Sequence, residues 1–244
     1  MVKNFAHRGF SGAYPENTML AFEKAIEIGA EGIEFDVHLT SDGVPVIMHD
    51  ENTVRTTGRD ALIKDMTLDE FRSLDAAHSR PGEWGALSPS TLREYFEMTD
   101  GKEIETNIEL KTGVFEYPNI ERKVLALMDE FGRRESVIIS SFNHYSVMRF
   151  KELAPDVRVG FLEESWLIKP GAYTRARGAE YFHPFFNLLN HESLTDLREN
   201  GIGINAWTIN EEDDMRKAIA MQLNSAIGNW PDRFAAVRRE ETGK

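Results

Sequence analysis

Eight times along its 244 residues, this chain follows a short β-rich run with a run whose apolar residues recur at helical spacing. Strands are expected at 4–9, 32–50 (a hairpin), 104–110, 137–142, 157–162, 180–186, 202–209 and 225–230. The intervening helices declare their buried faces as spaced sets: Met19, Phe22 and Ile26; Ile120, Val124, Leu127, Met128 and Phe131; Leu194 and Leu197; Met215, Ala218, Ile219 and Leu223. Such alternation implies a parallel sheet, because a parallel neighbour is reached only by a crossover. Eight units, counting the hairpin once, point to an α/β fold closed as a (β/α)8 barrel, with an open doubly wound sheet as the alternative. Residues 1–244 match the usual length of one such domain, about 250 residues.

Residues 51–103 break the rhythm and read as a loop-and-helix insertion over the barrel mouth. Thr67-Leu68-Asp69-Glu70 and Thr91-Leu92-Arg93-Glu94 each match a capping box, so short helices should begin there. Between them, Arg80-Pro81-Gly82-Glu83-Trp84-Gly85 is loop chemistry suited to a lid. Elsewhere Asn17 or Thr18, Asn143 and Asn210 are placed to cap helices, and Pro231 opens the last one.

The hairpin carries the densest chemistry. Glu34 and Asp36 lie two residues apart, so in a strand both carboxylates leave one face, roughly 7 Å apart at the backbone. A two-residue Asp42-Gly43 turn would bring His49 back opposite Asp36. His38 is expected to face away from the surface of His49 or to lie on the outer hairpin. Other strand ends add His7-Arg8, Glu109 with Lys111, Ser141-Phe142, Glu163-Glu164, His183, Trp207 with Asn210, and Asn229. The C-terminal strand ends form the mouth of a barrel, where catalytic residues gather. Taken singly each of these is more often structural; gathered at one mouth by independent strands, the set reads as a site.

Composition narrows the partners. A formal net charge of -13 opposes a nucleic-acid surface and stable binding to anionic membranes, and it admits a small anionic substrate only where positive charge is concentrated locally. No cysteine is present, which excludes disulfides and thiolate chemistry and suits a reducing compartment. The N-terminus shows no signal-like segment and no apolar run approaches a bilayer span, so a cytoplasmic protein is expected. Homo-oligomerisation is left open.

His7-Arg8-Gly9, Pro15-Glu16-Asn17-Thr18, Glu34-x-Asp36, His49-Asp50, Glu109-Leu110-Lys111 and Trp207-Thr208-x-Asn210 occur in an order and spacing that resembles the glycerophosphodiester phosphodiesterase family. The resemblance covers nearly the whole chain. It implies a TIM barrel of the phosphatidylinositol-phosphodiesterase kind, a divalent cation, and hydrolysis of glycerophosphodiesters to sn-glycerol 3-phosphate and an alcohol, a step of glycerol and lipid metabolism. The residues agree: Glu34, Asp36 and Glu109 offer an all-oxygen site suited to Mg²⁺ or Ca²⁺. The competing reading leaves some of these carboxyls protonated, or paired with Arg8 and Lys111.

By the same resemblance, His7 is the proton acceptor that activates the nucleophile and His49 the donor to the departing alkoxide. The nucleophile is either the glycerol 2-hydroxyl, giving a cyclic phosphate, or water. Arg8 and Lys111 bind phosphate oxygens. Phe142 and Trp207 offer an apolar wall against the glycerol carbons, although aromatics at strand ends are more often core, and Glu16 and Asn17 brace the first loop. His183 reads as a core or rim histidine, and Glu211–Asp214 as the acidic first turn of a helix. The last strand, residues 222–231, departs from the family pattern, which bears on substrate preference and leaves the catalytic set intact. Two alternatives remain: a phospholipase-type barrel acting on lipid phosphodiesters, and a non-catalytic barrel that binds phosphodiesters.

Overall fold

Strand β1 (Lys3–His7) and helix α1 (Met19–Glu27) are the first of the repeating units in the computed structural model, which describes residues 1–243. Thr18 starts the helix by accepting a hydrogen bond from the Ala21 N–H, and Gly29, at φ 80°, turns the chain out of it. Ala21, Phe22 and Ala25 form the buried face.

The chain continues through β2 (Gly32–Leu39), β3 (Pro45–Ile47), α2 (Val54–Thr57), α3 (Leu68–Arg72), α4 (Leu92–Met98) and β4 (Glu105–Leu110). Then come α5 (Ile120–Glu130), β5 (Val137–Ser141), α6 (His144–Leu153), β6 (Arg158–Glu163) and α7 (Pro170–Ala176). The last elements are β7 (Tyr181–Pro184), α8 (His191–Glu199), β8 (Gly203–Ala206), α9 (Glu212–Ala220), β9 (Ser225–Gly228) and α10 (Pro231–Thr242). Both expected capping boxes are present at Thr67 and Thr91, and Asn143 caps α6. Asn210 does not cap α9: its Oδ1 accepts the Asn229 N–H instead, at 2.8 Å.

Eight parallel strands pair in the order β1-β9-β8-β7-β6-β5-β4-β2, and β1 pairs with β2 to close the ring. That closure decides for the barrel over the open sheet. Strand β2 outruns β1, and β3 takes up its free edge in antiparallel pairing.

The hairpin register differs from expectation by one residue. Val37 faces Ile47, His38 faces Val46 and Leu39 faces Pro45. The loop has three residues, Ser41–Gly43, because the Thr40 hydroxyl accepts the Val44 N–H at 2.9 Å and donates to Asp42 at 2.5 Å. Gly43, at φ 78°, supplies the left-handed step such a loop needs. Asp36 is therefore opposite Met48, whose N–H donates to the Asp36 carbonyl. His49 lies past the ladder, at a bend.

Residues alternate between the interior of the ring and its helix-covered outside. Outward, Phe35 of β2 meets Phe22 and Tyr95 at ring-centroid distances of 5.4 and 4.5 Å. Each such fully buried side chain stabilises the fold by about 1.5–3 kcal/mol. Helix α4, which carries Tyr95 and Phe96, thus packs as a barrel helix. The stretch before it builds a satellite core of Val46, Met48, Ile63, Met66, Phe71 and Leu74 behind the hairpin.

The interior is polar at several levels. Lys3 and Arg158 hold Glu105 at 2.5 and 2.8 Å at the N-terminal end. Higher up, Ser225 donates to Asn205, whose amide donates to His183 at 3.1 Å. Gly160 leaves room for that ring, since a Cβ there would lie 2.3 Å from its Nε2. His183 is thus a core histidine. Among the described residues, no helix is long and apolar enough to cross a membrane.

Candidate active site

At the C-terminal mouth, β1 delivers His7 and β2 delivers Glu34, paired neighbours in the ring; β4 delivers Glu109 beside Asp36. His7, Arg8, Glu34, His49, Glu109, Lys111, Phe142 and Trp207 all line one cavity of about 390 Å³, with Asp36 buried behind it. The two histidines, three carboxylates, two cations and two aromatics assigned roles in the sequence therefore come to one place. A larger groove of about 660 Å³ lies outside the ring between the loop after β6 and helix α8, and holds none of this set.

The His7 Nδ1–H donates to Asn229 Oδ1 at 2.6 Å, which leaves the Nε2 lone pair 3.8 Å from Glu34. Burial, helped by the Arg8 guanidinium, pushes this imidazole down to about 4. Asn229 comes from the atypical last strand, so that segment contacts His7 directly. His49 has a different partner: its Nδ1 is 2.6 Å from Asp50 Oδ1. That bond, outweighing partial burial and reinforced by Arg55, holds the Asp50 carboxyl well below the usual range. Arg55 donates through Nε to Asp50 at 2.5 Å and through both terminal nitrogens to Glu16, which also accepts from Arg8 at 3.0 Å. His38 does not face away. Alternation puts it on the face of Asp36, where its Nε2 lies 3.2 Å from the His49 carbonyl and its Nδ1 2.9 Å from the Tyr117 hydroxyl.

Arg8 and Asn17 have φ of 56° and 57°, a left-handed conformation that costs a non-glycine residue about 1–2 kcal/mol. The Arg8 N–H reaches the Glu34 carbonyl and the Asn17 N–H reaches Arg8, which holds the turn. Arg8 Nε then lies 3.7 Å from Asp36, and Lys111 Nζ lies 2.9 Å from Glu109 and 3.6 Å from Asp36.

One oxygen from each of Glu34, Asp36 and Glu109 lies within 4.8 Å of the others. Burial pushes Glu34 well above the usual carboxylate range, and the Asp36 and Glu109 charges add to it. Glu109 is pushed up by burial despite Lys111. For Asp36 burial also raises, but Lys111, His49 and Arg8 outweigh it and hold the carboxyl low. A cluster in which one carboxylate is ionised and two are forced toward protonation is what a divalent cation would relieve. Arg8 Nε, Asn17 Oδ1 and Asn107 Oδ1 are buried beside it without a hydrogen-bond partner among the described residues. The oxygen donor set and these orphaned atoms fit a hard cation with an oxyanion ligand.

Sequence reading passed over Asn107 and Arg55 and gave no role to Asp50 or Asn229. Asn107 shares the parity of Glu109, the one signal that marks it; the others depend on contacts between distant segments.

A glycerophosphoryl diester phosphodiesterase family model matches residues 7–233. A glycerophosphodiester phosphodiesterase from Caldanaerobacter subterraneus is 39% identical over 235 residues, covering 96% of this chain and 97% of its own. One from Bacillus altitudinis is 37% identical over 243 residues, covering 98% and 99%. Among solved structures, an Oleispira antarctica phosphodiesterase in complex with the product sn-glycerol-3-phosphate superposes with a TM-score of 0.89 at 27% identity, covering 97% of this chain and 96% of that one.

Proposed function

The chain belongs to the glycerophosphoryl diester phosphodiesterase family, and from that premise we propose that it hydrolyses glycerophosphodiesters to sn-glycerol 3-phosphate and an alcohol. It is a phosphoric diester hydrolase. The observation that carries the rest is the meeting of two histidines from different segments and two cations in one cavity with a cluster of three carboxylates at its wall.

Arg8 and Lys111 supply the local positive charge that an otherwise acidic chain needs to hold a phosphate anion. Glu34, Asp36 and Glu109 would hold one Mg²⁺ or Ca²⁺, which when bound polarises a phosphoryl oxygen and offsets developing negative charge. Asn229 fixes the His7 tautomer, so Nε2 faces the cavity as the acceptor of the proton from the attacking hydroxyl, whether glycerol 2-hydroxyl or water. Asp50 orients His49 through Nδ1, leaving Nε2 to give a proton to the departing alkoxide.

The test is release of glycerol 3-phosphate from a panel of glycerophosphodiesters supplied with Mg²⁺ or Ca²⁺. His7→Ala and His49→Ala should each lower kcat by roughly 10²–10⁴-fold. Parent protein that binds diesters with no turnover under either ion would make the chain a binding barrel instead.

A further inference from the structure

The cavity has two chemically different ends. Its charged end runs from His7 to Lys111, with Glu34 and Glu109 buried and His7, Arg8, His49 and Lys111 half-buried, and on the reading above it takes the phosphate. The other end is walled by Leu162, Ile227 and Trp207 at depth and by Phe142 and Glu164 at the rim. Leu162 and Ile227 are buried, whereas Phe142 is 40% exposed and Glu164 is exposed.

Glu164 continues the inward parity of β6 two residues beyond Leu162. Glu163 secures this position, since its carboxylate accepts the Glu164 and Ser165 N–H groups at 3.1 and 3.0 Å. The other acidic side chains of the cavity wall, Glu34 and Glu109, belong to the carboxylate cluster. No cation among the described residues lies within salt-bridge distance of Glu164. Beside it, the Trp207 indole is fixed by its Nε1–H, which donates to the His183 carbonyl at 2.9 Å. Phe142 and Phe185 brace the indole at centroid distances of 5.6 and 5.5 Å. A free carboxylate next to rigid aromatic rings at a cavity rim is the combination that attracts an alkylammonium head: cation–π attraction from the rings and ion pairing from the acid.

We propose that Glu164, Phe142 and Trp207 form the subsite for the alcohol half of the diester and select a cationic amino alcohol, such as choline or ethanolamine, over a neutral polyol. The proposal rests on the hydrolase reading above and makes Glu164 a specificity determinant. The subsite acts on ground state and transition state alike, so its effect falls mainly on KM.

The experiment compares kcat/KM for glycerophosphocholine and glycerophosphoglycerol in the parent protein, Glu164→Gln and Glu164→Lys. The parent should favour the choline diester by about 5–30-fold, from the usual strength of a cation–π contact and a partly screened ion pair. That ratio should fall to the few-fold preference the rings alone supply in Glu164→Gln and fall further in Glu164→Lys, with the ion-pair part shrinking as salt rises. Calorimetric titration of both diesters into the His7→Ala variant, with and without Glu164→Gln, gives the same ratio from binding without turnover. A parent ratio near 1, or one unmoved by Glu164→Gln while both diesters are cleaved, overturns the subsite and leaves the hydrolase standing. If neither diester is cleaved and the hydrolase reading falls, the titration still tests the subsite, which fails when its ratio is 1.

Discussion

His7 enters the cavity with its two ring nitrogens already distinguished, because the Asn229 amide oxygen can only accept. Replacing Asn229 by Ala frees the imidazole to tautomerise and rotate, and kcat should fall by roughly 10–100-fold with KM little changed. Steady-state kinetics would check this, and Asn229→Asp, which keeps an acceptor at the same place, should recover part of the loss. Equal activity in Asn229→Ala would remove the tautomer argument. The asymmetry between the two histidines also explains what was legible at this scale. His7, Glu34, Asp36, His49, Glu109 and Lys111 declare themselves by residue type at strand ends, because their chemistry is intrinsic to the side chain. Asn229 and Asp50 work only through a neighbour. The contact of Asn229 with His7 spans 222 positions and exists because β9 and β1 lie side by side.

The hairpin and helix α2 act together as a strap across the mouth. Arg55 joins Asp50, behind His49, to Glu16, behind Arg8. Its side chain is 44% exposed, so these ion pairs are screened and contribute little to global stability. Their effect should be on geometry. Arg55→Ala is expected to lower kcat/KM by about tenfold while shifting Tm by no more than a degree or two, and Arg55→Lys should rescue poorly, because an ammonium cannot bridge two carboxylates as a planar fork does. A large loss of Tm without a loss of kcat/KM would make Arg55 a stability residue instead. The strap was invisible in the sequence for the same reason that the hairpin register slipped. Asp42-Gly43 marks a turn, but the Thr40 hydroxyl, by binding Val44 and Asp42, lengthens the loop to three residues. One residue of slip changes which face each side chain occupies. His49 still arrives because it sits beyond the ladder, where a bend redirects it.

Across the whole molecule, eightfold alternation was enough to read the barrel, while closure needed pairing between β1 and its two neighbours that no local pattern encodes. Closing the ring also seals polar side chains inside it, with a consequence for acid stability. His183 is wholly buried, and its Nε2 accepts from Asn205 while Nδ1 has no partner among the described residues. Burial pushes its imidazole down from 6.5 to about 3. Between those values the unfolded chain binds the proton that the folded chain excludes, so stability is full above pH 6.5 and falls as pH drops through the window. The slope approaches about 1.4 kcal/mol per pH unit for this one group. Surface carboxylates stay largely ionised above pH ~5, but His7 and His38, also pushed down by burial, add to the same slope, so urea midpoints from pH 6.5 to 5 are read as the difference between the parent and a variant lacking His183. His183→Gln keeps an acceptor for Asn205 without a titrating ring. It should be less stable than the parent at pH 7 from imperfect packing, yet lose stability less steeply on acidification, so the two curves converge. Parallel curves over that range would show that the ring tolerates a proton inside the barrel, and that acid sensitivity arises elsewhere in the fold.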